Sequence, residues 1–404
     1  VKMRYNVVMK RKIVAVVGGG AGGMLCAQVL AAAEKYRVVL IERGARPGRK
    51  LSATGNGQGN VTNLSMGAEH YFSDDRAKVA CILTAFSPED LIAFFGGLGG
   101  LFESDGQGRV YPSGRQASAV TDLLRFALAR AGAEVLLERT VTAISRRKGG
   151  YELAFSEGGT LFADAVVLAT GGKAAPNFGT DGTGYALARS LGHTVTPLYP
   201  ALVQLKTDTR FIRGLKGVRA NCRAIAYEGE KEVAHARGDV IFTDYGVSGN
   251  AVFLLSSYLT DAQSPRLVFD FLPDRTEEEL AAFLERKAAF CPRESLLGAV
   301  LSNALGRAVL RRAETGGGCT PAVAAKLVKN FELRVTGTLG FDAAQVTRGG
   351  VPLAETDDGL QSRKAENVWL CGEILNADGE CGGYNLQWAF ASAMCAARDI
   401  LRRL

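Results

Sequence analysis

The sequence predicts an α/β chain: a doubly wound, nucleotide-binding sheet carrying a β-meander, interrupted by an inserted β-barrel-like region and a helical region. Three observations predict it. A strand–glycine–helix–strand pattern begins near residue 12, apolar strands return at Ala165–Ala169 and Val368–Leu370, and from about residue 193 the texture changes to short β-type runs and then helices. Strands alternating with helical stretches are what a parallel sheet with crossovers requires.

The opening pattern is the most informative. Ile13 to Val17 is a continuous apolar run, Gly18, Gly20 and Gly23 follow at G-x-G-x-x-G spacing, and Val38 to Ile41 ends on Glu42, 24 residues after Gly18. Gly18 permits the turn, Gly20 lets backbone approach a pyrophosphate, and Gly23 lets helix and strand pack closely. Ala21 and Gly22 complete a helix N-terminus whose free N–H groups and dipole favour phosphate. Glu42 is placed to accept hydrogen bonds from an adenosine ribose, with Arg43 beside it. A lone glycine motif would also suit a plain turn; strand, helix and acid in register favour a Rossmann-type dinucleotide site.

Residues 43–63 form a long polar, glycine-rich loop, and such loops beside nucleotide sites usually carry function. Ser87 caps a helix begun by Pro88, facing a core with Leu91, Ile92, Phe94 and Phe95. Residues 116–131 read as another helix, Glu134 to Ile144 as one strand, and Tyr151–Phe155 with Thr160–Phe162 as an antiparallel meander. Ala165–Ala169 ends in Thr170-Gly171-Gly172, and a helix is expected over 182–191. The β-type region follows. Thr276-x-x-Glu279 is a capping box opening a helix, another helix starts at Thr320-Pro321, and a last one spans about 385–401. The expected division is 11–192 and 335–404 for the two parts of the nucleotide-binding domain, 193–272 for the barrel-like insert and 273–334 for the helical insert.

Composition narrows the class. The 404 residues are 47% hydrophobic and 22% charged, as in an ordinary globular protein. The net charge is +7 with basic residues scattered, so no nucleic-acid footprint is expected, while anionic ligands are compatible. Residues 1–33 resemble a targeting or membrane segment, with Lys2, Arg4, Lys10, Arg11 and Lys12 ahead of an uncharged run. Five glycines inside that run argue against a spanning helix, so no membrane association is expected and the location is expected to be cytoplasmic. Residues 1–10 read as an extension without chemistry. Eight cysteines without a C-x-x-C pair and three isolated histidines give no metal site.

Several stretches together resemble a known family: VVGGGAGG, GRKLSATGNG with NVTN, LATGG, FTDYGVSGNA, GTLGFDAAQVTRGGV and CGEILNADGECGGYNLQWAFASA. They are similar to the bacterial FAD-dependent oxidoreductases known as the HI0933-like or BaiN-like family, over most of the chain. The resemblance implies FAD, inserted barrel and helical subdomains, and either reduction of activated alkenes such as bile-acid 4-ene and 6-ene intermediates or oxidation of small amines. It also implies an adenine-side backbone contact at Val141, where an ordinary strand residue is the competing reading. The residues agree with FAD: only one G-x-G-x-x-G occurs, so NAD(P)H is expected only as a transient electron donor. A flavin-containing RNA-modifying protein is the alternative from another class.

The flavin end is expected at Gly372 and Glu373, and at Gly382-Gly383 ahead of Asn385 and Leu386, where a helix N-terminus would stabilise negative charge on reduced flavin. Arg49 and Lys50 supply cations, and Asn60 and Thr62 neutral hydrogen-bonding groups. Gly57-Gln58-Gly59-Asn60 departs from the family's usual G-R-C-N, and Asn250 stands where a proline is usual. Tyr111, Tyr245 and Tyr384 are candidate proton donors, each also an ordinary packing tyrosine, and Cys381 is a candidate redox thiol. A small-molecule substrate is the expected partner.

Overall fold

A computed structural model describes residues 11–316 and 318–404; the expected extension at 1–10 lies outside the described residues. The chain divides into two compact units, one made of residues up to Leu198 together with Val346–Leu404, the other of Tyr199–Gln345.

In the first unit, β1 (Ile13–Val17), α1 (Ala21–Ala32) and β2 (Arg37–Ile41) form the opening βαβ. Then follow β3 (Thr62–Asn63), β4 (Tyr71–Ser73), α2 (Arg76–Ala85), α3 (Pro88–Gly97), β5 (Phe102–Ser104), β6 (Arg109–Pro112) and α4 (Ala117–Arg130). Next come β7 (Glu134–Leu136), β8 (Val141–Arg147), β9 (Gly150–Phe155), β10 (Thr160–Ala163), β11 (Ala165–Leu168) and α5 (Gly184–Ser190).

The main sheet has the order β20-β11-β1-β2-β7, β20 (Val368–Leu370) arriving from the second chain segment. Every neighbouring pair in it is parallel. Its strands are continuous apolar runs because both faces are covered, and β1 is buried along its whole length. Gly23 lies where a Cβ would strike the Gly18 carbonyl, so α1 packs tightly on β1. The order places β1 centrally, with the chain running outward on both sides. The residues just past β1, β2, β11 and β20 therefore share the carboxyl edge of one sheet, where such folds bind ligands.

The expected single strand 134–144 is two. Glu138 takes φ +54°, and the Glu42 carbonyl accepts the Arg139 N–H, so β7 ends on the parallel sheet and β8 starts the β10-β9-β8 meander. Residues 76–97 also have the length and apolarity of a membrane span, although nothing beyond residues 1–33 was expected to approach that length. They break into α2 and α3, because Ser87 accepts the Asp90 N–H while Asp90 accepts the Ser87 N–H.

The second unit contains β12 (Tyr199–Ala201), β13 (Leu205–Thr207), β14 (Arg219–Glu228), β15 (Lys231–Phe242), β16 (Gly246–Ser248), α6 (Asn250–Leu259) and β17 (Pro265–Asp270). After these come α7 (Glu277–Ala288), α8 (Asn303–Thr315), α9 (Pro321–Lys329) and β18 (Phe331–Thr338). Six of its strands close a barrel, β13-β16-β15-β14-β17-β18. Strand β18 runs across the boundary expected at 334/335, because barrel closure needs a strand from beyond the helices. At the other boundary, His193 stays in the first unit. Asn250 opens α6, and its side-chain oxygen accepts the Ala251 and Asp239 N–H groups, which a proline could not do.

The first unit resumes with β19 (Val346–Arg348), β20, β21 (Ala377–Gly379) and α10 (Tyr384–Arg403). Helix α10 packs on α1 at Gly22, where a Cβ would lie 2.9 Å from the Ala389 carbonyl oxygen.

Candidate functional site

At the carboxyl edge of β1, Gly20 caps α1 without a side-chain acceptor, so the N–H groups of the first turn have no intrahelical partner. A Cβ at Gly20 would meet nothing within 4 Å, leaving the open approach a pyrophosphate needs. Glu42 follows β2 directly; its carboxylate accepts the Gly19 N–H at 2.9 Å and the Gly44 N–H at 2.7 Å, which fixes the turn and aims the remaining lone pairs. Arg43 is committed to Asp181 at 2.8 Å. Hydrogen bonding to Arg43 holds the Asp181 carboxyl well below the usual range. Arg49 donates to the Asn177 carbonyl at 2.9 Å. Val141 begins β8, close after the Arg139 N–H that binds the Glu42 carbonyl.

Past β20, Gly372 is tied to α10: its N–H donates to Ser392 Oγ at 2.9 Å and its carbonyl accepts the Trp388 indole N–H at 3.2 Å. Glu373 next to it accepts Lys50 Nζ at 2.8 Å on one oxygen and the Thr347 N–H at 2.9 Å on the other. Thr347 Oγ1 in turn accepts the Lys173 and Ala174 N–H groups, so the loop after Thr170-Gly171 joins the same network. Thr347 was not singled out from the sequence; its only signal was its place in the quoted run GTLGFDAAQVTRGGV.

The start of α10 lies against the loop that follows the 51–57 turn. Gly383 adopts φ +103°, and a Cβ there would collide with the Thr62 carbonyl and approach Asn60 Oδ1 at 2.9 Å. Asn385 turns back instead of outward, with Oδ1 accepting the Gly379 N–H at 2.8 Å and Nδ2 donating to the Gly379 carbonyl at 2.6 Å. Leu386 completes the first turn, whose free N–H groups carry the positive helix end. Asn60 Oδ1, Thr62 Oγ1 and Thr170 Oγ1 are buried without a hydrogen-bond partner among the described residues. Leaving such groups unpaired costs about 1–3 kcal/mol each. They fit a polar cofactor that completes their bonding.

Of the proton-donor candidates, Tyr384 and Tyr111 belong to the first unit, at the start of α10 and on β6. Tyr384 stacks on His70 at 4.5 Å between ring centroids, and its hydroxyl donates to the Ser65 carbonyl at 3.4 Å. Tyr111 on β6 lies under the Arg115 guanidinium. Burial pushes both phenols up. Cys381 is exposed, and desolvation by the surrounding protein raises its thiol pKa against the pull of Arg109. All eight cysteines are free thiols. Tyr245 belongs to the second unit, in the turn between β15 and β16, where its carbonyl accepts the Thr207 N–H. At the departing loop, Gln58 is exposed, whereas Gly59 has φ +78° and a Cβ there would lie 2.8 Å from Ala117 Cα. A side chain has no room at residue 59 in this backbone.

A family model described as the HI0933-like protein Rossmann domain matches residues 12–399. The chain belongs to the HI0933-like family. It is a flavin-dependent oxidoreductase whose Rossmann-type domain binds FAD. Among relatives, it is 34% identical over 407 residues to the 3-dehydro-bile acid delta(4,6)-reductase of Clostridium scindens, covering 96% of this chain and 99% of that one. It is 28% identical over 406 residues to the ribosomal RNA dihydrouridine synthase of Escherichia coli, covering 97% of this chain and 99% of that one. The fold is similar to that of 3-ketosteroid delta1-dehydrogenase from Sterolibacterium denitrificans, with a TM-score of 0.51, 14% identity, and coverage of 97% of this HI0933-like chain and 100% of that one.

Proposed function

We propose that this protein is a cytoplasmic FAD-dependent reductase of carbon–carbon double bonds conjugated to a carbonyl, acting on a small, steroid-like substrate with NAD(P)H as electron donor. One observation carries the reading: two relatives aligned over almost the whole chain are named for reactions that saturate this type of bond. A 3-dehydro-bile acid unsaturated at position 4 conjugates that bond to its 3-oxo group, and uridine conjugates its ring double bond to a carbonyl. Conjugation makes the β-carbon electrophilic, so it takes a hydride while the α-carbon takes a proton. FAD, when bound and reduced, supplies the hydride. The chain's own residues orient the reactants and deliver the proton. Tyr384 and Tyr111 suit that role, since a phenol is protonated at neutral pH and burial raises both further.

The steroid class is favoured by the higher identity, 34% against 28%, and by scattered basic residues. A second reading, reduction of uridine in ribosomal RNA, is supported by two full-length relatives of that name. Anaerobic stopped-flow of the flavin-loaded protein with NADH and NADPH, followed by a 3-oxo-Δ4 steroid, tests the proposal. Flavin reduction and its reoxidation by the steroid, with a saturated product by mass spectrometry, are expected. Reduction by neither nucleotide would turn the reading toward an oxidase, and reoxidation only by an RNA fragment would favour the second reading.

A further inference from the structure

Next to the turn that leads into α10 stands a cluster that cofactor binding leaves unused. Strand β6 presents Arg109 and Tyr111 to one face, two residues apart. Arg109 is neutralised by Asp105 at 2.7 Å. Beyond the strand the chain reverses through Arg115, which adopts φ +49°, a conformation non-glycine residues seldom take and one that gathers at ligand-binding positions. This turn lays the Arg115 guanidinium over the buried Tyr111 ring, 4.2 Å from its centroid, and brings it to Gln58 Oε1 at 3.4 Å. No Asp or Glu of the described residues pairs with it. Stacking fixes the plane of the guanidinium while Arg115 remains an exposed residue, and a guanidinium so held can receive a planar anion in two parallel hydrogen bonds. A Cβ at Gly382 would lie 3.9 Å from Arg109 Cδ, so the cluster adjoins the Glu380–Gly383 turn that begins the cofactor-facing helix.

We infer that Arg115, seated on Tyr111, binds a carboxylate carried by the substrate and so selects acidic over neutral conjugated ketones. The net charge of +7 is in keeping with an anionic substrate. The inference rests on the reductase reading above, and binding measurements keep the two separable.

The test uses FAD-loaded wild type, Arg115→Ala and Arg115→Lys with a 3-oxo-Δ4 steroid bearing a side-chain carboxylate, and with its methyl ester. Dissociation constants come from perturbation of the flavin spectrum, and KM from NAD(P)H oxidation. Wild type is expected to bind the acid about tenfold more tightly than the ester, the worth of one charge-assisted contact. Arg115→Ala is expected to abolish that preference, with the rise in KM confined to the acid, and Arg115→Lys to restore part of it. Equal weakening of acid and ester, or no acid preference in wild type, would overturn the inference. Acid-selective binding without turnover would count against the reductase reading alone.

Discussion

Lys50 and Glu373 meet at 2.8 Å, joining two loops of the first unit that lie 323 residues apart in sequence. Both side chains are mostly buried, so the pair is shielded more than a surface ion pair. Glu373→Gln keeps the bond to the Thr347 N–H and removes the charge. The expected effect is a loss of about 1 kcal/mol in cofactor retention, a roughly fivefold weaker affinity. Titration of apo-protein with FAD, followed by flavin fluorescence, reads it directly; unchanged affinity would detach this pair from the cofactor.

Gly383 holds the start of α10 against Thr62. A Gly383→Ala chain must place a methyl group on the Thr62 carbonyl at a backbone angle that L-residues avoid. The expected penalty is about 2 kcal/mol, with release of flavin, since the helix end must withdraw from the loop. Urea unfolding of the apo-protein and the flavin-to-protein absorbance ratio measure the two parts.

Asp399 is 4% exposed and accepts the Trp369 indole N–H at 3.0 Å. Asp399→Ala leaves that donor unpaired inside the core and is expected to destabilise by about 1–3 kcal/mol. Asp399→Asn, which retains an acceptor, is expected to recover most of the loss in thermal unfolding.

His193 bridges Glu355 and Ser362, with Nδ1 2.8 Å from the carboxylate and Nε2 2.8 Å from the hydroxyl. Burial disfavours ionisation of Glu355, but hydrogen bonds from Thr194 and His193 outweigh it and hold its carboxyl below the ordinary range. A depressed carboxyl stabilises the fold above its unfolded pKa, about 4.3, and that contribution fades as pH falls through the lower folded value. Wild type is therefore expected to lose stability faster than Glu355→Gln on acidification below about pH 4.3. Denaturant midpoints across that range check the sign.

The opening βαβ was legible because its signals are local: an apolar run, glycines at fixed offsets and an acid where the second strand stops. The N-cap at Ser87 and the capping box at Thr276 were legible for the same reason, since four residues contain the whole device. What escaped depends on chain brought from afar. The bond from Glu373 to Lys50, the bridge of His193 to a serine 169 residues away, and the closing of the barrel by β18 leave no trace in a window of a dozen residues. Asn385 is a different case: its side-chain amide is bonded to Gly379 and Glu380, which leaves its backbone N–H, in the first turn of α10, as the group free to face a ligand.

The split of the first unit has a consequence for biosynthesis. Residues 199–345 are continuous, so the barrel and its helices hold all their partners as soon as they leave the ribosome. The parallel sheet has to wait. Until residues 346–404 are made, β11 presents an unpaired edge and α1 an apolar flank, exposed longest in the very element that must later grip the phosphates. Nascent chains stalled before β20 are thus a population with a finished insert inside an unfinished host.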